Sequence, residues 1–284
     1  MSQSVEPSRD ISAGERWAGG DNPKGGAWWQ LGGHWPAVVA FIGLAVVWEA
    51  GVRLSGTPAY ILPTPSAILA RTWTDLPYLL SQAADTLGEA LVGLLLASLL
   101  GLTAALAMAH SRSVERAFFP LMVALKVTPM VVIAPLLILW LGFGPAPKVI
   151  VAALLSFFPI LSNALIGLRS VNPRALEFMR SLNASRWEIL RELRLPQSLP
   201  YLLSAYKTSA TLSIIGAVVA EWVGADRGLG HVIILANSNL DMTTLLAAVL
   251  ILAILGIALY VIVEAIERRA LFWHESTLTS DHEQ

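Results

Sequence analysis

The sequence predicts an all-α, polytopic membrane protein of about six transmembrane helices. Apolar residues make up 55% of the 284 and charged residues 14%, against roughly 45–50% and about 25% in soluble domains. Several segments run uncharged for the about 20 residues a helix needs to cross hydrocarbon, where every backbone polar group must be bonded within the segment. Basic residues also crowd into alternate connections, as expected of a chain with one cytoplasmic side.

Taken in order, residues 1–35 form a polar, Gly-rich leader holding Arg9, Arg16 and Lys24. They lack the apolar region and cleavage site of a signal peptide, and read as a disordered cytoplasmic tail. Pro36 to Val52, carrying only Glu49, is the first span. Residues 53–84 make an outer connection in which Leu62-Pro63-Thr64-Pro65-Ser66 holds the chain extended or turning. Ala90 to Ala109 is uncharged, with Glu89 at its start, where a helix dipole favours a carboxylate. Phe118 to Leu141 contains Lys126 and the prolines Pro120, Pro129 and Pro135, which predict a kinked span. Val149 to Leu168 is uncharged, and Leu199 to Val223 holds Lys207 and Glu221 nearer its ends than its middle. His231 to Leu240 is too short and polar to span, so it reads as a re-entrant or surface helix. Leu245 to Val263 completes the set. The membrane domain is thus 36–265, followed by a cytoplasmic tail at 266–284.

With the N-terminus inside, cytoplasmic segments hold Arg112, Arg116, Arg169, Arg174, Arg180, Arg186, Arg191, Arg194, Arg268 and Arg269 besides those of the leader. The outer segments hold only Arg53, Arg71, Lys148 and Arg227, which puts both termini in the cytoplasm. Trp35, Trp140, Trp222 and Trp273 fall near span ends, where indole rings favour the interface.

A net charge of −1 argues against a nucleic-acid partner, and the lack of cysteine excludes disulfides, thiolate metal sites and thiol nucleophiles. The five histidines form no ligand-spaced pair, so no metal site is expected. There is no phosphate-binding G-x-x-x-x-G-K-[ST] loop and no nucleophile beside a base, so the chain is neither an ATPase nor an enzyme of a recognisable kind.

The longest cytoplasmic connection, Arg169 to Pro200, reads as a helical hairpin at 173–196. Pro173 suits a first helical turn. Asn183 suits the left-handed position that ends a helix. Ser185 with Glu188 makes a capping box for the next helix, and Leu195-Pro196 closes it.

Glu177, Ala184, Ser185, Arg186, Trp187 and Leu195-Pro196 resemble the EAA loop of binding-protein-dependent ABC importer permeases. Phe178 and Met179 stand where alanines are usual, and Asn183 stands for glycine. Leu62-Pro63-Thr64-Pro65-Ser66, Pro135 to Gly142, Phe157-Phe158-Pro159 and Ala220 to Ala225 resemble the nitrate, sulfonate and taurine branch. Arg227-Gly228-Leu229-Gly230 with Ala236 to Asp241 is similar to members handling riboflavin or hydroxymethylpyrimidine. The resemblance implies a type I ABC importer permease fold in a bacterial inner membrane. It implies a second permease copy, an ATPase subunit that binds ATP and Mg, an extracytoplasmic solute-binding protein, and no cofactor on this chain. It also implies that Glu177, Arg180, Asn183, Ala184, Ser185, Arg186, Trp187, Leu195 and Pro196 couple to the ATPase.

For the solute path the candidates are Lys126, Thr128, Asn163, Thr211 and Glu221. Charges inside spans are costly and often functional, though long side chains near ends can snorkel; Lys207 reads either as a snorkelling residue or as part of the path. Glu221 reads either as a gate or binding-protein contact, or as an interfacial carboxylate beside Trp222. Asn163, Thr208, Thr211 and Ser213 would bond a solute or hold helices together, and Gly93, Gly101 and Gly216 read as close-packing sites. A stand-alone secondary transporter and a membrane-embedded enzyme are the alternatives; the first would show paired repeats, the second clustered catalytic side chains.

Overall fold

Five helices in the computed structural model, which describes residues 35–271, are long and apolar enough to cross a membrane. They are α1 (Trp35–Ser55), α3 (Leu76–His110), α6 (Pro145–Arg169), α9 (Leu195–Gly224) and α11 (Met242–Ala270). Shorter helices lie between them: α2 (Pro65–Thr74), α4 (Arg112–Val127), α5 (Met130–Leu141), α7 (Pro173–Ser181), the single turn α8 (Arg186–Glu188) and α10 (Leu229–Ser238). A sixth span arises only if α4 and α5 count as one, and they meet at 99°. Most of the two expected tails, including Arg9, Arg16, Lys24 and Trp273, lies outside the described residues; within them, Trp35 opens α1 and 266–270 end α11.

The centre is α3, α6 and α9, brought close by small residues. A Cβ on Gly93 would stand 2.6 Å from the Ala152 Cβ, and one on Gly216 would stand 2.6 Å from the Ala152 Cα. Gly101 meets Ile160 in the same way, at 3.0 Å. Lipid gives helices no hydrophobic reason to associate, so backbone approach and interhelical hydrogen bonds must hold them together. Ser156 and Ser209 supply such bonds reciprocally, each hydroxyl donating to the other's carbonyl at 3.0 and 3.1 Å. The buried cluster here includes the small Ala90, Ala97, Ala153, Ala210 and Ala217 beside the larger Leu94, Ile160 and Ile214.

α1 stands apart, exposing Phe41, Ile42, Leu44, Val46 and Val47. It is linked to the rest by Trp48, which packs against the cluster of Ile68 and Leu79, and by Glu49, which accepts from the Ser66 amide (3.0 Å) and hydroxyl (2.8 Å) at the start of α2 and pairs with Arg53. α2 in turn reaches α11, Arg71 donating to the Thr244 hydroxyl at 2.9 Å.

Four expectations are corrected. The outer connection 53–84 is mostly helical: Thr64 caps α2 with Pro65 in its first turn, and α3 begins at Leu76. Glu89 therefore lies inside α3, away from any helix start, and is ion-paired with Lys148, itself buried rather than loop-exposed. The kinked span is two helices broken at Thr128-Pro129, while Pro120 and Pro135 are accommodated within helices. Leu195-Pro196 does not close the hairpin; a π-helical turn, Ile189–Arg194, carries α8 straight into α9. A π turn shifts the hydrogen-bond register by one residue, so a proline just after it, with no N–H to contribute, interrupts nothing.

Candidate functional site

The hairpin forms as its residues dictate. The Asn172 side chain accepts from the Arg174 amide at 2.9 Å to start α7, with Pro173 in the first turn. α7 ends in a Schellman arrangement: the Asn183 amide donates to the Arg180 carbonyl (3.0 Å) and the Ala184 amide to that of Met179 (3.1 Å). This requires a left-handed residue, and Asn183 has φ 56°. Ser185 and Glu188 then cap each other, Glu188 N–H donating to the Ser185 hydroxyl at 3.2 Å and Ser185 N–H to the Glu188 carboxylate at 2.6 Å. That backbone bond holds the Glu188 carboxyl below its ordinary pKa.

What the hairpin presents is unusual for a segment outside the spans. Phe178, Leu182 and Trp187 are 64%, 62% and 65% exposed, alongside exposed Glu177, Arg180 and Arg186. Large apolar groups in water mark a protein-binding surface. Ala184 and Leu195 are partly buried, Leu195 against the cluster containing Met108 and Leu165, and Pro196 lies exposed at the start of α9.

The five path candidates are not brought together: among the described residues no hydrogen bond or ion pair joins any two of them. The Lys126 ammonium lies 4.5 Å from the Phe158 ring centroid, a cation–π contact. Three of the others bond within their own helices, Thr128 to the Ala124 carbonyl (2.9 Å), Asn163 to that of Pro159 (2.9 Å) and Thr211 to that of Lys207 (3.4 Å). Lys207 pairs with Glu267 of α11 at 2.5 Å.

Glu221 is 1% exposed, so it is no interfacial carboxylate. It accepts from the Thr86 hydroxyl at 2.7 Å and from the Gly230 amide at 2.6 Å. Thr86 accepts from the Leu229 amide (2.9 Å), and the Gln82 side chain from the Gly228 amide (2.7 Å). The first amides of α10, which have no partner within their own helix, are thus satisfied by side chains from α3 and α9, with a carboxyl group at the positive end of the helix. Gly228 has φ 109°, and a Cβ there or on Gly230 would run into the Glu221 carboxyl. Sequence reading passed over Gln82 and Thr86. The signal available was the Arg-Gly-Leu-Gly run closing onto a carboxylate inside a span.

Long apolar helices packed through glycine and alanine, with a capped hairpin set off from them, define a polytopic membrane protein. The chain belongs to the family described as the binding-protein-dependent transport system inner membrane component, which it matches over residues 93–271. It is therefore the permease subunit of an ABC importer, a multi-span protein of the cell membrane that works with a separate ATPase.

It is 38% identical over 248 residues to a riboflavin transport system permease protein of Chloroflexus aurantiacus, covering 86% of this chain and 92% of that protein. It is 35% identical to a formylaminopyrimidine transport permease protein of Halalkalibacterium halodurans, covering 83% and 94%. The inward-facing MetNI methionine ABC transporter shares the fold, with a TM-score of 0.61 at 18% identity over 68% of this chain and 96% of that one.

Proposed function

We propose that this permease carries a small heterocyclic solute of the riboflavin or pyrimidine-precursor kind, received from an extracytoplasmic solute-binding protein. Two copies of the chain flank the path, both termini face the cytoplasm, and ATP with Mg is bound and hydrolysed on the partner ATPase. The hairpin at 173–196 is the element on which that ATPase docks. The observation that carries this reading is the exposed Phe178, Leu182 and Trp187 on a hairpin whose shape is fixed by its own caps. The names of these two relatives support the solute class.

The experiment is co-purification of the ATPase with the permease, alongside solute-stimulated ATP hydrolysis in reconstituted vesicles. Glu177→Arg reverses the charge beside Phe178 and should lose both the bound ATPase and the stimulation. If it retains both at wild-type levels, the hairpin is not the docking element. Uptake of riboflavin or an aminopyrimidine, set against taurine, tests the solute class separately.

A further inference from the structure

Two adjoining cavities, of about 700 and 830 Å³, open where α3 and α6 end. They share Ala109 and Arg194. Their polar lining is overwhelmingly cationic, with Arg112, Arg116 and Arg169 in one, Arg180 and Arg186 in the other, and Arg194 in both. The lone lining carboxylate, Glu115, is already neutralised by Arg169, which donates to it twice at 2.6 and 2.7 Å. Arg112, Arg116, Arg180, Arg186 and Arg194 have no hydrogen-bonded carboxylate among the described residues. The floor is apolar, made by Leu106, Leu176, Ile189 and Leu190 on one side and Phe119 and Pro120 on the other.

Six guanidiniums against one carboxylate leave a strong excess of positive charge, so a surface of this kind is completed by an anion. Guanidinium forks match phosphate oxygens in geometry as well as charge. The depth matters equally. The cavities sit at the last turn of two long apolar helices, the level of a membrane at which phosphate headgroups lie, and their floor suits the start of acyl chains. Basic pockets between helices at that level are where anionic headgroups settle.

We infer that these cavities hold the headgroup of an anionic phospholipid, bound between the end of α3, the start of α4 and the inner side of the hairpin. The inference rests on the orientation proposed above only in placing that lipid in the cytoplasmic leaflet. Arg180 and Arg186 then meet lipid on one side of the hairpin while Phe178 and Trp187 remain free for a protein on the other. A bound lipid would brace the hairpin from beneath.

The test is native mass spectrometry of the purified full-length permease, titrated with phosphatidylglycerol and, separately, with phosphatidylcholine. Wild type should retain phosphatidylglycerol selectively. Arg112→Gln with Arg116→Gln, which lie outside the docking hairpin, should weaken that retention about thirtyfold, each arginine contributing roughly a factor of five. Arg269→Gln, an exposed cation at the end of α11, should leave it unchanged, and Arg112→Lys with Arg116→Lys should recover most of it. Equal retention of both lipids by the wild type, or an unchanged phosphatidylglycerol affinity in the double glutamine variant, would overturn the proposal. So would loss of the lipid when the ATPase binds, since the cavities would then be part of the protein interface. Cysteine labelling of the hairpin reads its side independently, so failure of the orientation and failure of the lipid site give different results.

Discussion

Replacing Glu221 by alanine removes the acceptor of the Gly230 amide of α10 and that of the Thr86 hydroxyl of α3. The two donors do not suffer alike. The Thr86 hydroxyl can turn to the Gln82 carbonyl, already 3.2 Å away. The Gly230 amide lies in the first turn of α10, where no carbonyl precedes it, and it stays buried without a partner. An orphaned buried amide costs about 1–3 kcal/mol. The space left by the missing carboxyl adds to this, for a total of about 2–5 kcal/mol. Glutamine keeps the shape and one carbonyl oxygen for the Gly230 amide, while its NH₂ can donate to Thr86. It gives up only the charge-assisted part of the bond, about 1 kcal/mol. For a chain of this size 1 kcal/mol shifts the melting temperature by roughly 2–4 °C. In a constant-rate thermal scan of the purified protein, followed by tryptophan fluorescence with Trp222 as the adjacent reporter, the order should be wild type, Glu221→Gln, Glu221→Ala. Glutamine should lower the transition by about 2–4 °C, and alanine by at least about 4 °C and more than glutamine. An alanine variant within 1 °C of wild type, or a glutamine variant below alanine, would refute the account of Gly230 as the stranded donor.

At the hairpin, Asn183→Gly should be nearly neutral in ATPase co-purification, whereas Asn183→Val forces a β-branched residue to φ 56° at about 1–2 kcal/mol and should weaken it. Ser185→Ala removes a cap worth about 1 kcal/mol and should reduce stimulated ATP hydrolysis without preventing membrane insertion. Lys126→Met loses the contact with Phe158 and should impair uptake in vesicles while the ATPase still assembles; normal uptake would remove Lys126 from the path. Single cysteines at Ser4, Ser181 and Thr279 should resist labelling from outside intact cells, and efficient labelling at Ser181 would reverse the orientation.

The uncharged spans and the hairpin were legible because each rests on local chemistry. A run without charge must be helical in lipid, and Pro173, Asn183, Ser185 and Glu188 act on amides within a few residues of themselves. The first half of α3 was not legible, since Gln82, Thr86 and Glu89 look like the end of a membrane segment unless their partners on α6, α9 and at the start of α10 are known. Polar residues inside a bundle are paired across helices, and that pairing is invisible along one chain. Pro196 misled for a related reason, since whether a proline ends a helix depends on the register of the turn before it. At the end of α10 the left-handed position falls on Leu240, with φ 55°, although asparagines stand at 237 and 239. The register of that helix was set elsewhere, by the buried seating of Leu229 and Gly230.

The unbroken run from Arg186 to Gly224 is 39 residues long. At about 1.5 Å per residue it is a rod of roughly 58 Å. The capping box lies at one tip, and Glu221, holding the first turn of α10, lies within a turn of the other. A rod of that length works as a lever arm. Pivoted near one tip, a tilt of only about 5° sweeps the opposite tip through roughly 5 Å, close to the pitch of a helical turn. The two tips are therefore joined by one continuous helical element.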